Sequence, residues 1–530
     1  MGRGKKNRVD AVELGVFAHL FASVAEEMGS ALCRSAASPN IKERRDFSAA
    51  LFDAGGRMVA QAAHIPVHLG SAGISVRAAI KTRPMRPGDT VMLNDPFAGG
   101  THLPDITLVT PVFLRRSKTP DYYVATRAHH ADVGGQAPGS MVSVAEIYQE
   151  GLRIPPIRLR EDEQWNEDVV DLFLINVRTP DERRADLEAQ AAANHRGVRR
   201  VVELADRYGK PRLDRVAAAL LDYTGRMTAA ALEDIQAGEY TFTDHLDGDG
   251  RGGGPYPITV RITLEGRRAR FDFTGTHPQV PGSINANRSI TTAAVFYCLR
   301  CLLKGEVPTN EGVLRPVELV LPPGSLVNAR PPAAVAGGNV ETSQRIVDVV
   351  LGALSRAAPD RIPAASQGTM NNLSLGGIDP ATGETFTYYE TIPGGSGAGP
   401  WGPGASGIQS HMTNTLSTPV EALEHAYPLA VESTALRTGS GGTGKHRGGD
   451  GVVREIRLRT AARISLLTER RTHRPYGLRG GGPGRVGGNF LISGGKKKRL
   501  PAKGSVEGRG GDIIRIVTPG GGGYGKKKHP

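Results

Sequence analysis

Residues 94–113 read NDPFAGGTHLPDITLVTPVF, and residues 122–132 read YYVATRAHHAD. The apolar runs Ile106 to Leu114 and Tyr122 to Ala125 are rich in β-branched and aromatic residues, the composition of strands. Each run lies beside a polar cluster: His102 and Asp105 ahead of the first, His129 and Asp132 behind the second. A hairpin of the two would carry both clusters to one end of a sheet, where rigid strand ends hold reacting groups in place. Gly99 and Gly100 allow the backbone to bend close to a ligand just before His102. Imidazole and carboxylate donors together suit Zn²⁺, Mn²⁺ or Fe²⁺, and the lack of clustered thiols argues against a cysteine-type zinc site. A cation held there would lower the pKa of a water toward neutrality. Such spacings also arise by chance, so the same four residues also read as strand-end hydrogen-bonding groups. His64 and His68, on the preceding loop, read either as groups that support the ligands or as ordinary loop residues, the second being favoured.

Outward from these strands no internal repeat is visible. Val12, Leu14, Val16, Leu20, Val24, Met28 and Leu32 recur near helical spacing and predict a helix over 10–37, closed by Pro39. Residues 47–60, FSAALFDAGGRMVA, predict a hairpin turning at Asp53–Gly56. Residues 181–236, rich in Ala, Leu, Glu and Arg, predict two or three long helices. Strands are expected at 239–244, 256–264 and 268–274, and helices at 289–304 and 342–357. From 451 onward VVREIRLR, RISLLTE, NFLIS and DIIRIV stand between glycine runs and predict a β-rich end. The expected class is α+β: a multi-layer mixed α/β protein with a β-rich C-terminal region, not a simple alternating βα array. The expected division is a metal-site region at 1–236, a mixed middle region at 237–430 and a β- and glycine-rich region at 431–530.

With 530 residues, 39% of them apolar, the chain can bury a large core despite 69 Gly and 36 Pro. A formal net charge of +13 raises nucleic acid as a partner. Much of the surplus is local, in Lys5, Lys6 and Arg8, in Lys496–Arg499 and in Lys526–Lys528, which read as solvated ends or hairpin tips. Aromatic residues are too sparse for a base-stacking platform, so no nucleic acid is expected. Three cysteines, Cys33, Cys298 and Cys301, make no disulfide framework and point to a reducing compartment. No stretch approaches the ~20 apolar residues of a membrane span, and Asp10 and Glu13 interrupt any signal-peptide core. A cytoplasmic protein without membrane contact is expected.

Several glycine-rich stretches carry other readings. Gly439–Lys445 nearly spells a phosphate-binding loop, and Gly439, Gly441 and Gly444 fit GxGxxG, yet both motifs need a helix to start immediately after. Here His446 stands where a Ser or Thr would bind Mg²⁺, and RGGDG follows, so no ATP site is expected. Cys298 and Cys301 form one CxxC without a second pair and read as a buried structural pair. TIPGGSGAG (391–399) and TPGGGGYG (518–525) could present bare N–H groups to an anion or form flexible turns. Gly394, Gly395 and Ser396 are the phosphate-binding candidates among them. SGIQSHMTNTLSTPVE (406–421) puts His411, Thr413 and Asn414 in a polar run that binds substrate or caps a helix.

Seven stretches together, SPNIKERRDFSAALFD, NDPFAGGTHLPDITLVTPVF, RAHHADVGG followed by PGSM, GGNVETSQRI, SHMTNTLSTPVE, RRTHRPYGLRGG and TPGGGGYG, resemble the hydantoinase B/oxoprolinase family. The resemblance runs in order from about residue 10 to residue 525. Its members include the B components of ATP-dependent hydantoinases, the C-terminal half of 5-oxoprolinase and a large subunit of acetone-type carboxylases. The resemblance implies a hetero-oligomer in which a separate hydantoinase A-type partner, with an actin-like fold, binds and splits ATP. This chain would carry a divalent metal (Zn, Mn or Fe) and complete ring opening of a small cyclic amide such as hydantoin, N-methylhydantoin or 5-oxoproline. The implied ligands are Glu43 in NIKERRDF, His102 and Asp105 in THLPD, and His129 in RAHHAD. Asp132 is implied as a further carboxylate or as the partner orienting His129, while His130 stands where an aromatic ring is frequent. On this resemblance His102, Asp105, His129 and Asp132 are the catalytic set, and His411 and Asn414 join the substrate contacts. The same family also implies an alternative, a subunit of an ATP-dependent ketone carboxylase. Two departures fall near the C-terminus: KKKHP follows YG where an acidic residue is common, and KHRGG lacks the aromatic that often precedes RGG.

Overall fold

The computed structural model describes residues 9–62, 65–68, 70–115 and 117–527. Its first sheet has seven strands, β1 (Phe47–Asp53), β2 (Met58–Gln61), β3 (Thr90–Leu93), β4 (Asp105–Val112), β5 (Tyr122–His129), β6 (Ile157–Glu161) and β7 (Gln164–Trp165), in the order β2-β1-β5-β4-β3-β6-β7. The expected hairpin is β1 and β2, closed at the Asp53–Gly56 turn, where Asp53 Oδ1 accepts from the Gly55 and Arg57 amides. β4 and β5 pair antiparallel along their whole length, Asp105 opposite His129 and Val112 opposite Tyr122. β5 runs four residues beyond its apolar signal because its polar residues find partners inside. Arg127 donates to the hydroxyls of Thr107, Ser71 and Ser75, and a buried polar group with a partner does not break a strand.

Alternation along β1 explains why both faces of this sheet are covered. Ala49 and Leu51 join Phe17, Phe21 and Val24 of the helix Ala11–Ser35 and Val201 of the helix Pro180–Tyr208. Ala50 and Phe52 point the other way, into a larger core with Val76 and Val91. The helix-rich stretch becomes two helices, Pro180–Tyr208 and Lys210–Glu233, parted by Gly209 at φ 82°.

β8 (Gly238–Leu246), β9 (Tyr256–Glu265), β10 (Arg268–Asp272) and β11 (Val317–Val320) form a four-stranded sheet packed on the helix Ser343–Ala357. Farther on, β12 (Asn372–Ile378), β13 (Thr385–Glu390), β14 (Leu429–Arg437), β15 (Gly451–Leu458), β16 (Ala462–Leu467), β17 (Gly488–Ser493), β18 (Lys496–Leu500), β19 (Lys503–Gly508) and β20 (Ile513–Val517) build two sheets. Their orders are β13-β12-β16-β19 and β14-β15-β20-β17-β18. The α+β class and the β-rich C-terminal region stand as expected. The largest core cluster draws residues from Ala50 to Leu467, so segments 1–236, 237–430 and 431–530 share it. Lys496–Arg499 lies on an exposed hairpin, while Lys5, Lys6, Arg8 and Lys528 fall outside the described residues. All three cysteines are free; Cys298 is buried and Cys301 exposed, so the CxxC is not a buried pair. Among the described residues no helix is long and apolar enough to cross a membrane.

The glycine runs form a close-packed bundle of extended chains. A Cβ on Gly395 would overlap the Gly449 carbonyl oxygen, and one on Gly521 would overlap that of Ser396. The backbone amides bond from chain to chain: Gly395 to Pro519 O, Gly449 to Ser396 O, Gly521 to Gly449 O and Gly522 to Ala365 O, all at 2.8–3.1 Å. Backbones approach this closely only where no side chain intervenes.

Glu341 anchors the start of the helix Ser343–Ala357 to β12. Its Oε1 accepts from the Met370 amide at 3.0 Å and from Asn372 Nδ2 at 2.7 Å. Asn372 Oδ1 in turn accepts from the Tyr389 hydroxyl at 2.8 Å. Complete burial is the largest influence on the Glu341 carboxyl and pushes it up to about 8.

Gly395→Ala or Gly521→Ala is expected to destabilise by about 1–3 kcal/mol through overpacking. Gly15→Ala, in open space on the first helix, should stabilise by about 1 kcal/mol; chemical denaturation measures both. Between the unfolded value near 4.5 and the folded value of about 8, folded Glu341 holds the extra proton. Its contribution therefore declines as pH rises through that window. Glu341→Gln should flatten the fall in melting temperature between about pH 5 and 8.

Candidate metal centre

The turn at residues 99–105 delivers the first two donors. A Cβ on Gly100 would overlap the Asn94 carbonyl oxygen, and Gly99 has φ 102°, so this bend requires glycine. Asn94 spans it, donating from Nδ2 to Leu103 O and Leu152 O. Asn287, capping the helix Arg288–Leu302, donates to Pro96 O and Thr101 O. His102 thereby faces Asp105, and the β4–β5 register adds His129.

Ligand atoms of His102, Asp105 and His129 all lie within 4.8 Å of one another, and all three residues are buried. His102 Nε2 is 3.0 Å and His129 Nδ1 3.4 Å from Asp105 Oδ1. Yet Asp105 Oδ1, both ring nitrogens of His102 and Nε2 of His129 have no hydrogen-bond partner. Buried lone pairs that converge without donors are unfavourable alone, and a divalent cation satisfies them. The donor set thus fits the expected metal.

Asp105 and His129 are held in forms that can ligate a cation. Burial opposes ionisation of Asp105, but the imidazoles of His102 and His68 outweigh it and hold the carboxyl well below 3.8. Burial also pulls the His129 ring below its usual value, which favours the neutral, lone-pair-bearing form. The other carboxylate oxygen, Oδ2, accepts from Thr101 Oγ1 at 2.6 Å and meets His68 Nε2 at 3.3 Å. Asp105 is therefore oriented through Oδ2 while Oδ1 stays open.

A cavity of about 20 Å³, room for one water, adjoins the cluster. Its lining includes Asp46, His68, Asp105, His129, Asn339, Tyr389, Met412 and Thr413. The Tyr389 ring stacks on His129 at 4.7 Å, and the Arg44 guanidinium lies over the same tyrosine. Admitting a ring-shaped substrate requires these walls to part.

Asp46, Asn339 and Tyr389 of this lining are absent from the sequence reading, and His68 was given its less favoured role there. His68 is buried, with Nδ1 2.9 Å from Ser48 Oγ and Nε2 aimed at Asp105, not an ordinary loop residue. His64 lies outside the described residues. Asp46, buried and three positions beyond Glu43, is the acidic residue that faces the cavity, whereas half-buried Glu43 is in neither the ligand cluster nor the lining. Only the fold reveals Asp46: the β1–β5 register, extended by one residue, places it opposite His129. Asn339 carried no signal beyond its place in GGNVETSQ.

Other expected site residues are placed elsewhere. Asp132 is buried but spent on its loop, accepting from the amides of Gly134, Gly139 and Arg178 and from the Arg178 guanidinium. His130 pairs with Gln190. Gly394, Gly395 and Ser396 belong to the glycine bundle, and their amides donate to Ile408 O, Pro519 O and Ala405 O, leaving no cradle for phosphate. The Gly441, Gly442 and Lys445 amides are committed in the same way, to Asp450, Gly521 and Gly525. His411 lies near Tyr297 and Asp348, with only its neighbours Met412 and Thr413 in the cavity wall. Asn414 lines a different cavity, with Arg34 and Arg45.

Comparison with known proteins extends this picture. The chain is 42% identical to 5-oxoprolinase 1 of Arabidopsis thaliana over 98% of its own length and 42% of that protein's. It thus spans about two fifths of the length of the 5-oxoprolinases it matches. A protein of Pseudomonas sp. (strain NS671), named as the B component of a D-/L-hydantoinase, is 30% identical over 98% of this chain and 90% of its own. Among solved structures, the ATP-dependent caprolactamase from Pseudomonas jessenii superposes with a TM-score of 0.91 at 30% identity, covering 98% of this chain and 92% of that one. The profile of the hydantoinase B/oxoprolinase family matches residues 10–527, and the chain belongs to that family.

Proposed function

We propose that this chain is the ring-opening component of an ATP-dependent cyclic-amide hydrolase, acting with a separate A-type subunit that binds and splits ATP. The observation that carries the reading is the buried convergence of His102, Asp105 and His129 on a water-sized cavity. Family membership supports the substrate class. One relative, matched over 90% of its length, is named as one component of a hydantoinase, which supports a separate partner.

An amide resists attack because its nitrogen lone pair delocalises into the carbonyl. Transfer of a phosphoryl group from ATP to the carbonyl oxygen removes that protection. The activated ring then meets a water: the water oxygen bonds to the ring carbon, the ring C–N bond breaks and the nitrogen takes a proton. The remaining acyl phosphate is cleaved by a second water into carboxylate and phosphate. His102, Asp105 and His129 would hold a divalent cation, Zn, Mn or Fe, with Asp46 as a further oxygen donor facing the same cavity. Such a cation supplies Lewis acidity, bringing the pKa of water toward neutrality. Thr101 and His68 fix the Asp105 carboxylate, and the Tyr389 ring holds the His129 plane.

Purified with its ATPase partner, the wild-type chain should open 5-oxoproline, hydantoin or caprolactam only when ATP, partner and metal are all present. Ring opening by this chain alone, or by the metal-free complex, would overturn the reading; bicarbonate-dependent ketone consumption would favour the carboxylase alternative. His102→Ala should lose bound metal. Thr101→Val should weaken metal affinity by about 10–100-fold in a chelator titration, since it removes a bond that orients a ligand.

A further inference from the structure

We propose that Asn339 reads the ring nitrogen of the substrate, its Oδ1 accepting the N–H of a cyclic secondary amide. This rests on the cyclic-amide reading above and names the feature of the substrate that the cavity selects.

Asn339 sits in a π-turn, Gly338–Thr342, just ahead of the helix Ser343–Ala357. A Cβ on Gly338 would overlap the Asn285 carbonyl oxygen, so the two glycines before Asn339 let the chain press against residues 283–286. Single π-turns of this kind recur at functional sites. The side chain, 3% exposed, lines the cavity beside Asp105.

The orientation of its amide follows from its neighbour. Nδ2 lies 3.5 Å from Asp105 Oδ2, and an ionised carboxylate only accepts, so nitrogen faces Asp105 and oxygen faces away. The contact is to Oδ2, whereas His102 and His129 converge on Oδ1. Asn339 thus leaves Oδ1 of Asp105 open and is not one of the three residues of the donor cluster. Its Oδ1 is left buried with no partner.

An acceptor so placed needs a donor, and none of the described lining side chains bonds to it. The Tyr389 hydroxyl donates to Asn372. Thr391 and Thr413 are engaged with Thr415. His68 Nε2 and His129 Nδ1 face Asp105, His129 Nε2 bonds to nothing, Asn339 included, and Asp46 is itself an acceptor. The donor therefore arrives with whatever enters the cavity. A lactam activated at oxygen carries its N–H on a positively polarised nitrogen. A neutral carboxamide oxygen binds that N–H without removing the proton, keeping the ring carbon in its more electrophilic form. Water added to the carbon then finds a nitrogen already carrying one of the two hydrogens it needs to leave.

The test compares 2-pyrrolidone with N-methyl-2-pyrrolidone, in wild type and Asn339→Leu. ATP-coupled opening is measured in the complex with the ATPase partner, and direct binding by calorimetry on the metal-loaded chain. Wild type should favour the N–H lactam by roughly 100-fold or more in kcat/KM and by about tenfold in affinity, and Asn339→Leu should bring both ratios near one while retaining metal. If Asn339→Leu does not fold, Asn339→Ser, whose hydroxyl is too short to reach, should give the same collapse. Equal preference in wild type, or a variant that slows both lactams alike, overturns the proposal, the second outcome assigning Oδ1 to water. Absence of any turnover with a persisting N–H preference in binding defeats the hydrolase reading but upholds the role of Asn339.

Discussion

The antiparallel register of β4 and β5 is the constraint on which the rest of the centre depends. Asp105 opens β4 and His129 closes β5, and only their direct pairing brings carboxylate and imidazole onto the same face at the same end. Side chains alternate with a period of two, so a slip of one residue would send His129 to the opposite face. The register is held from several sides. Arg127 and Thr107, a directly opposed pair, are hydrogen-bonded. Gln190 and Asn194, one turn apart on the helix Pro180–Tyr208, donate to the carbonyls of Ile106 and Leu108. The helix thus reads the strand at two points, which a shifted strand would not offer.

The first sheet supplies the donors, and the remainder of the chain supplies the enclosure. Arg44 is the principal tie between them. It is fully buried and donates to Asn40 Oδ1, Tyr389 O and Thr391 Oγ1. A buried guanidinium is tolerated only when such partners are in place, so the loop carrying Asp46 is locked to the end of β13 and, through Thr391 and Thr415, to the segment carrying Met412 and Thr413. Behind that enclosure the glycine bundle acts as a rigid block. Its backbone groups are spent on one another, which makes it a scaffold and removes it from ligand binding.

Local signals in the sequence translated faithfully. The first helix, the β1–β2 hairpin, the two long helices and strands β8 to β10 all stand within a few residues of where periodicity and turn residues placed them. β12 was missed because Gly376 and Gly377 break its apolar pattern. Those glycines exist for contact, since a Cβ on Gly376 would overlap Pro138. The His102–Asp105 pair was legible because it lies within one turn, and His129 because it ends a strand. Glu43 rested on the family motif alone, and Asp46, three residues on and immediately before β1, carried no signal of its own.

By itself, the sequence determined the strand and helix periods, the sharp bend at Gly99–Gly100, the family and the three residues of the donor cluster, because each is written within a few neighbouring positions or across a long collinear pattern. Tertiary structure alone decided that Asp46, His68, Tyr389 and Asn339 surround that cluster, and that the amides of Gly394 to Ser396 are already bonded. The reason is physical. Whether a donor or acceptor is free depends on what packs against it, and here the partners come from segments hundreds of residues away.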